Sequence, residues 1–278
     1  MTAFTLAPAD AFGAADLHAA FAGAFSDYVA GPFQLPLDQW PSLEGRQGID
    51  KARSRVALVD GTIAAFAFTC PRAETGRWRL GAMGALPAAR GSGAAPALLD
   101  DFLARAQAEG LAWAELECFA ANERALRLYR GRGFEVIGPL DAWKATDAPA
   151  DMPAPAVRTV DRATAFAWLE EADRRIAWLP FPNTARSLSA QPRPLTFWQA
   201  GSAQLAFSVV EGTPTTLHSL IDPDPGLHDA ETLARALRAA HPDAFAPPIL
   251  RDDLGGAALE RAGFERQALG QVQMKRAL

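Results

Sequence analysis

Little in this 278-residue chain suits it to metal, disulfide or nucleic-acid chemistry. The two cysteines, Cys70 and Cys118, are too few for a disulfide framework and have no metal-ligand spacing. Buried packing in a reducing compartment is the expected role of each, and a cytoplasmic location follows as an expectation. Four histidines lie scattered along the chain, so no metal is expected, and His18 reads as a surface or half-buried side chain of a first helix. With a net charge of −5 and no basic run or aromatic-interleaved basic patch, the chain is not expected to bind nucleic acid. No apolar run approaches a membrane span. Residues 1–13 lack a positive region followed by an apolar core, so no signal peptide is expected either.

What is present is length and apolar content. With 278 residues and 49% hydrophobic composition, the chain can form two modest domains with real cores. A proline-rich stretch over 147–156 reads as a linker between a domain over 1–146 and another over 157–278. The halves share short matches in one register. Leu103-Ala104-Arg105-Ala106 recurs as Leu233-Ala234-Arg235-Ala236, and Gly133-Phe134-Glu135 recurs as Gly263-Phe264-Glu265. Two matches at the same offset argue for an internal repeat.

Chemistry concentrates in the first half. Residues 78–86 can run as a strand closed by Pro87, and Leu98, Leu99, Phe102, Leu103 and Ala106 give 98–108 the spacing of an amphipathic helix. Between them stands Arg90-Gly91-Ser92-Gly93-Ala94-Ala95, a run with almost no side-chain bulk. Such a loop lets a ligand reach the main chain, where the unpaired N–H groups and dipole of a helix N-terminus favour phosphate. Pro96 fits the first turn, where its missing N–H costs nothing. Alone, the run also fits plain alanine and glycine richness. It is no P-loop, since no Lys-Ser/Thr follows, and no dinucleotide fingerprint, since Pro96 stands at the third glycine.

A second cluster follows. Residues 111–119 read as a strand, 123–131 as a short helix capped by Asn122, and 134–137 as the next strand after a stop at Gly133. Tyr129 lies on one face with Ala125 and Leu126. By itself it also fits a half-buried helix aromatic.

Together these residues resemble the GNAT superfamily of acyl-CoA-dependent N-acetyltransferases. Arg90-x-x-Gly93-x-Ala95 is similar to its phosphate loop, and Gly84-Ala85-Leu86-Pro87 to the end of its fourth strand, with alanine for valine. Asn122-x-x-Ala125-x-x-x-Tyr129-x-x-x-Gly133-Phe134 resembles its second signature. The resemblance covers about the first 145 residues. It implies an α+β (mixed α/β) chain of two tandem GNAT-like domains, each a mixed, mostly antiparallel twisted sheet flanked by helices.

The resemblance also implies roles. Acetyl-CoA would be the cosubstrate, its pyrophosphate held by main-chain N–H groups of Gly91, Ser92, Gly93, Ala94 and Ala95, with Arg90 adding a charge. The main chain at Ala85 and Leu86 would hold the pantetheine arm and polarise the acetyl carbonyl, Asn122 would lie near the arm, and Tyr129 would be the general acid. A phenol of pKa about 10 is a protonated donor at neutral pH, apt for a thiolate whose acid has pKa about 8.5. Glu115 and Glu117, on one side of the strand with Trp113 and Phe119, are candidates to recruit and deprotonate an amine. That face would equally serve as solvated surface, and water relays make a base dispensable. Phe25, Tyr28, Phe33 and Trp40 are candidate walls of an acceptor groove and equally candidate core, and Phe181-Pro182-Asn183 is a further candidate wall.

In the second half, Arg90–Ala95 falls on Leu220-Ile221-Asp222-Pro223-Asp224-Pro225, Tyr129 on Leu259 and Asn122 on Asp252. Acids and prolines replace a phosphate loop, so this copy should not bind coenzyme A. The expected activity is acetyl transfer to a primary amine, small-molecule or on a peptide or protein, by direct attack, from a monomer or homodimer. The competing class is a silent acyl-CoA-binding sensor or partner module.

Overall fold

The structure, a computed structural model, describes residues 3–146 and 155–278. In chain order come β1 (Thr5–Pro8), α1 (Ala14–Ala24), α2 (Trp40–Gln47), β2 (Asp50–Val59), β3 (Thr62–Arg72) and β4 (Arg77–Ala85). Then follow α3 (Ala94–Ala108), β5 (Trp113–Phe119), α4 (Glu123–Arg130) and β6 (Glu135–Ala145). The later part holds β7 (Arg158–Val160), α5 (Arg162–Arg175), α6 (Ala185–Ser189), β8 (Thr196–Ala200), β9 (Ala203–Ser208) and β10 (Thr216–Ile221). It closes with α7 (His228–Ala240), β11 (Phe245–Leu250), α8 (Gly256–Arg261), β12 (Phe264–Arg266) and β13 (Gln271–Ala277).

Two compact units result, but they divide differently from the expected 1–146 and 157–278. One holds the chain up to Ile137 together with Gln273–Leu278, and the other is Gly138–Val272. β6 starts in the first unit and runs on into the second, while β13 brings the chain back to the first. Composition marks proline-rich segments; it carries no signal for a strand that changes unit. Residues 147–154 of the expected linker lie outside the described residues.

In the first unit the strand order is β1-β2-β3-β4-β5-β13. The pairings from β1 to β4 are antiparallel and β4 to β5 is parallel. A parallel pair needs a crossover, and α3 supplies it. One sheet face carries Phe66 and Phe68 against Leu17, Phe21 and Trp40 of the first two helices, all buried. On the other, Leu98, Leu99 and Phe102 of α3 are fully buried, with Phe102 against Trp78. Each such burial contributes about 1.5–3 kcal/mol, which fixes the helix that opens at the glycine loop.

The second unit has order β6-β11-β10-β9-β8-β7, with β12 also on β6. It too is mostly antiparallel with one parallel pair, β10 and β11, crossed over by α7. The repeat signals fall at matching places. Leu103 and Leu233 are buried on α3 and α7, Phe134 and Phe264 are buried, and Gly133 and Gly263 have φ of +78° and +86°. Both units are thus mixed, mostly antiparallel sheets flanked by helices, as expected. Among the described residues, no helix is long and apolar enough to cross a membrane.

Candidate active site

β4 and β5 do not stay paired along their length. Their register runs from Arg77 opposite Trp113 to Leu80 opposite Leu116, yet β4 continues to Ala85 and β5 to Phe119. On its other side β4 stays bonded to β3, and the Leu86 N–H donates to Ala64 O at 2.9 Å. Groups alternate in an antiparallel ladder, so Met83 and Ala85 turn theirs to the open side. Gly84 is needed here: a Cβ would come within 2.9 Å of both Ala24 Cβ and Phe66 Cζ, so glycine lets α1 lie against β4.

The parting opens into a cavity of about 420 Å³. Met83, Gly84 and Ala85 line it, as do the end of α1 with Phe25, Asp27 and Tyr28, the loop from Ala89 to Ala95, and Asn122, Ala125 and Tyr129. The chain has two tyrosines, and both stand here.

The glycine loop folds as an amide cradle with some of its donors already used. Gly91 and Gly93 have φ of +84° and +92°, and Gly93 caps α3 in the left-handed conformation. Arg90 N–H donates to Pro87 O, Ser92 N–H to Ala89 O, and Ala94 N–H to Ser92 Oγ. The N–H groups of Gly91, Gly93 and Ala95 have no partner within the described residues. Successive amides of this kind around positive-φ glycines form an anion-binding concavity. The expectation that all five residues from Gly91 to Ala95 offer their amides is therefore corrected to three. Leu86 is corrected as well: its amide is taken by the sheet, and Met83 with Ala85 presents the main chain instead.

Arg90 is engaged too. Its Nη1 and Nη2 meet Asp27 Oδ2 and Oδ1 at 2.5 Å each, Nη2 donates to Ala24 O at 3.2 Å, and Nε to Ala85 O at 3.4 Å. The partner Asp27, beyond the end of α1, gave no signal in the sequence, because the pair is 63 residues apart.

α4 carries the phenol. Asn122 Oδ1 accepts from Ala125 N–H at 3.1 Å, capping the helix, and the Asn122 side chain lies beside the Tyr28 hydroxyl. Leu126 and Tyr129 are the buried residues of a helix that also carries three arginines and one glutamate. Its last turn closes through Arg132 and Phe134 N–H groups on Tyr129 O, at 2.9 and 3.1 Å. Tyr129 is 7% exposed, its ring 5.9 Å from that of Phe134, and burial raises its pKa well above the usual tyrosine value. Burial pushes both Tyr28 and the Cys118 thiol up to about 12. All three therefore hold their protons at neutral pH.

Glu115 and Glu117 share a face, as strand alternation implies, but neither lines the cavity. Glu115 is 1% exposed between Arg72 Nη1 at 2.6 Å and Arg77 Nη1 at 3.1 Å. Glu117 meets Arg79 Nε at 2.6 Å, and Arg79 also donates to Gln47. Carboxylates so buried need such partners and stay with them, which argues against the base role expected of them. Their arginines come from β3 and β4, so spacing along β5 could not show them.

Of the four aromatic candidates, Phe25 and Tyr28 reach the cavity, while Phe33 and the fully buried Trp40 pack around Phe21. Phe181 is buried in the second unit's own core. His18 bonds Leu35 O and stands edge-on to Trp40. Among the described residues, no group of three or more His, Cys, Asp or Glu is placed to hold a metal.

Residues 18–134 match the family model described as Acetyltransferase (GNAT) family. Three solved structures share the fold over 99% of this chain. One is assigned as an acetyltransferase from Pyrococcus horikoshii (15% identity, 89% of that chain, TM-score 0.66). The others are GCN5-related N-acetyltransferases from Sphaerobacter thermophilus (17%, 95%, 0.62) and Kribbella flavida (15%, 71%, 0.61). No curated protein matches the chain. The parted strands, the amide cradle and the capped tyrosine helix all fall within residues 18–134, the part of this chain that matches the GNAT acetyltransferase family.

Proposed function

We propose that the first unit moves the acetyl group of acetyl-CoA to a primary amine by direct attack in a ternary complex. The observation that carries this is convergence: the free amides of Gly91, Gly93 and Ala95 and the buried Tyr129 bound one cavity, at the gap between β4 and β5. Pyrophosphate sits on the amides, where the α3 dipole adds to their pull. The pantetheine arm lies along the open edge of β4, and the main-chain N–H groups of Met83 and Ala85 face the thioester oxygen.

A neutral amine then attacks the acetyl carbon. The N–C bond forms, the C–S bond breaks, and the thiolate takes a proton from Tyr129 while the amine nitrogen gives one up to water, which returns a proton to the phenolate and closes the cycle. The cavity holds the reactants in place, so no covalent enzyme intermediate is required. A small-molecule amine is the proposed acceptor. A tyrosine kept protonated at the cavity wall favours turnover over silent cofactor binding, since a binder has no use for the proton.

The test is Tyr129→Phe, which keeps the ring and its packing on Phe134. Turnover should fall by roughly 10²-fold or more while acetyl-CoA affinity stays within about twofold, as expected for loss of a general acid. Unchanged turnover would remove Tyr129 from the mechanism.

A further inference from the structure

Arg90 and Asp27 bind each other where an anion is expected to arrive. The Arg90 fork is filled on both terminal nitrogens by one carboxylate, and its Nε is spent on Ala85 O. Three unpaired amides follow it in the loop. A pyrophosphate on those amides would lie in a cavity that Asp27 also lines, so the two anions repel. Guanidinium binds phosphate with the same paired N–H geometry as carboxylate. Turning Arg90 from one to the other gives the phosphate a cation and leaves the carboxylate uncompensated.

Asp27 is then left without its partner. It is the one carboxylate among the described residues lining the cavity, and at 55% side-chain exposure a ligand can reach it. We infer that Arg90 changes partner from Asp27 to the pyrophosphate when the cofactor binds, and that the freed Asp27 receives a cationic group on the acceptor, distinct from the amine that reacts. This rests on the proposed acetyl-CoA site. Asp27 is thus a specificity-determining residue, masked until the donor is bound. Donor binding strengthens acceptor binding, and by linkage the reverse holds.

The test is calorimetric titration of the full-length protein with coenzyme A and with 1,4-diaminobutane. Asp27→Asn should bind coenzyme A roughly fivefold tighter or more, a typical coupling between competing sites. Adding Arg90→Gln to Asp27→Asn should reverse that gain and weaken binding further. If Arg90 merely neutralises Asp27, Arg90→Gln has no effect in that background, and partner exchange is overturned. The diamine should bind the coenzyme A-loaded wild type at least tenfold more tightly than the unloaded protein or loaded Asp27→Asn. Equal affinities, or no binding to the loaded wild type, would overturn the acceptor role. Thermal melts of each variant, with Asp27→Ser as a second substitution, separate these outcomes from misfolding. A wild type that binds no coenzyme A at all overturns the proposed function instead.

Discussion

Burial keeps the Tyr129 phenol protonated and, by the same shift, makes it a weaker acid. Water stabilises phenolate, and a ring 7% exposed beside Cys118 and Tyr28 lacks that water, so its pKa rises. Under the proposed mechanism the pH dependence has a definite sign. A raised pKa keeps the proton in place as pH increases, while the acceptor amine becomes more nucleophilic. Turnover against pH should therefore climb to a plateau with no descending limb near about 10, where an ordinary tyrosine would ionise. A bell-shaped profile falling below that pH, and lost in Tyr129→Phe, would contradict this environment. Glu115 behaves in the opposite way, as a structural charge. Glu115→Gln removes the carboxylate charge that the buried Arg72 and the half-buried Arg77 share, which should cost about 3–5 kcal/mol in denaturant unfolding. Strand alternation placed Glu115 beside Glu117, but only three-dimensional pairing showed that arginines had claimed both. The same limit hid Asp27, since nothing local to Arg90 announces a partner 63 residues away in the turn after α1.

At the scale of elements, the capped helix and the glycine loop were the most readable parts of the chain. Asn122, the Leu126 and Tyr129 face, and the Gly133 stop appear in order in the sequence, and α4 forms over Glu123–Arg130 as they imply. α3 begins at Ala94, with Pro96 in its first turn. α1 ends at Ala24, and Phe25 just beyond it packs its ring against those of Phe21 and Tyr28. The parting of β4 from β5 had no local signal at all, being a property of two strands. The loop can be tested directly. Gly93→Val puts a β-branched residue at φ +92°, a strain of about 1–2 kcal/mol, and crowds the cradle. Acetyl-CoA affinity should drop at least tenfold with a modest loss in Tm; unchanged affinity would take the cradle out of cofactor binding.

The corresponding element of the second unit fills its own helix terminus. Asp222 accepts from Ala230 N–H and Asp224 N–H at 3.0 Å and from Ser202 Oγ at 2.8 Å, and it is 1% exposed. A side-chain carboxylate thus stands at the start of α7, within the run of acids and prolines noted in the sequence. Asp222→Ala should lower stability by about 1–3 kcal/mol, through unsatisfied buried donors, without creating a second cofactor site.

On the scale of the whole molecule, the first unit is completed by the last residues of the chain. Met274 in β13 is fully buried, and Leu278 N–H donates to Ala112 O at 3.1 Å. Met274→Ala should therefore destabilise by about 2–5 kcal/mol, as for other large-to-small changes in a core. No linear reading of composition anticipates this return, since the proline-rich stretch suggested a single cut near the middle. The repeat, by contrast, was legible because buried leucines and positive-φ glycines recur where each unit needs them. Its two copies differ at the helix that follows the parallel strand: one leaves three amides free, and the other has a carboxylate of its own in place.

That contrast makes stoichiometry the most direct test. Calorimetric titration of the full-length protein with acetyl-CoA should give one site per chain, abolished or strongly weakened by Gly93→Val and unaffected by Asp222→Ala. Two sites per chain, or one that survives Gly93→Val, would contradict an active first unit beside a second that cannot hold the cofactor.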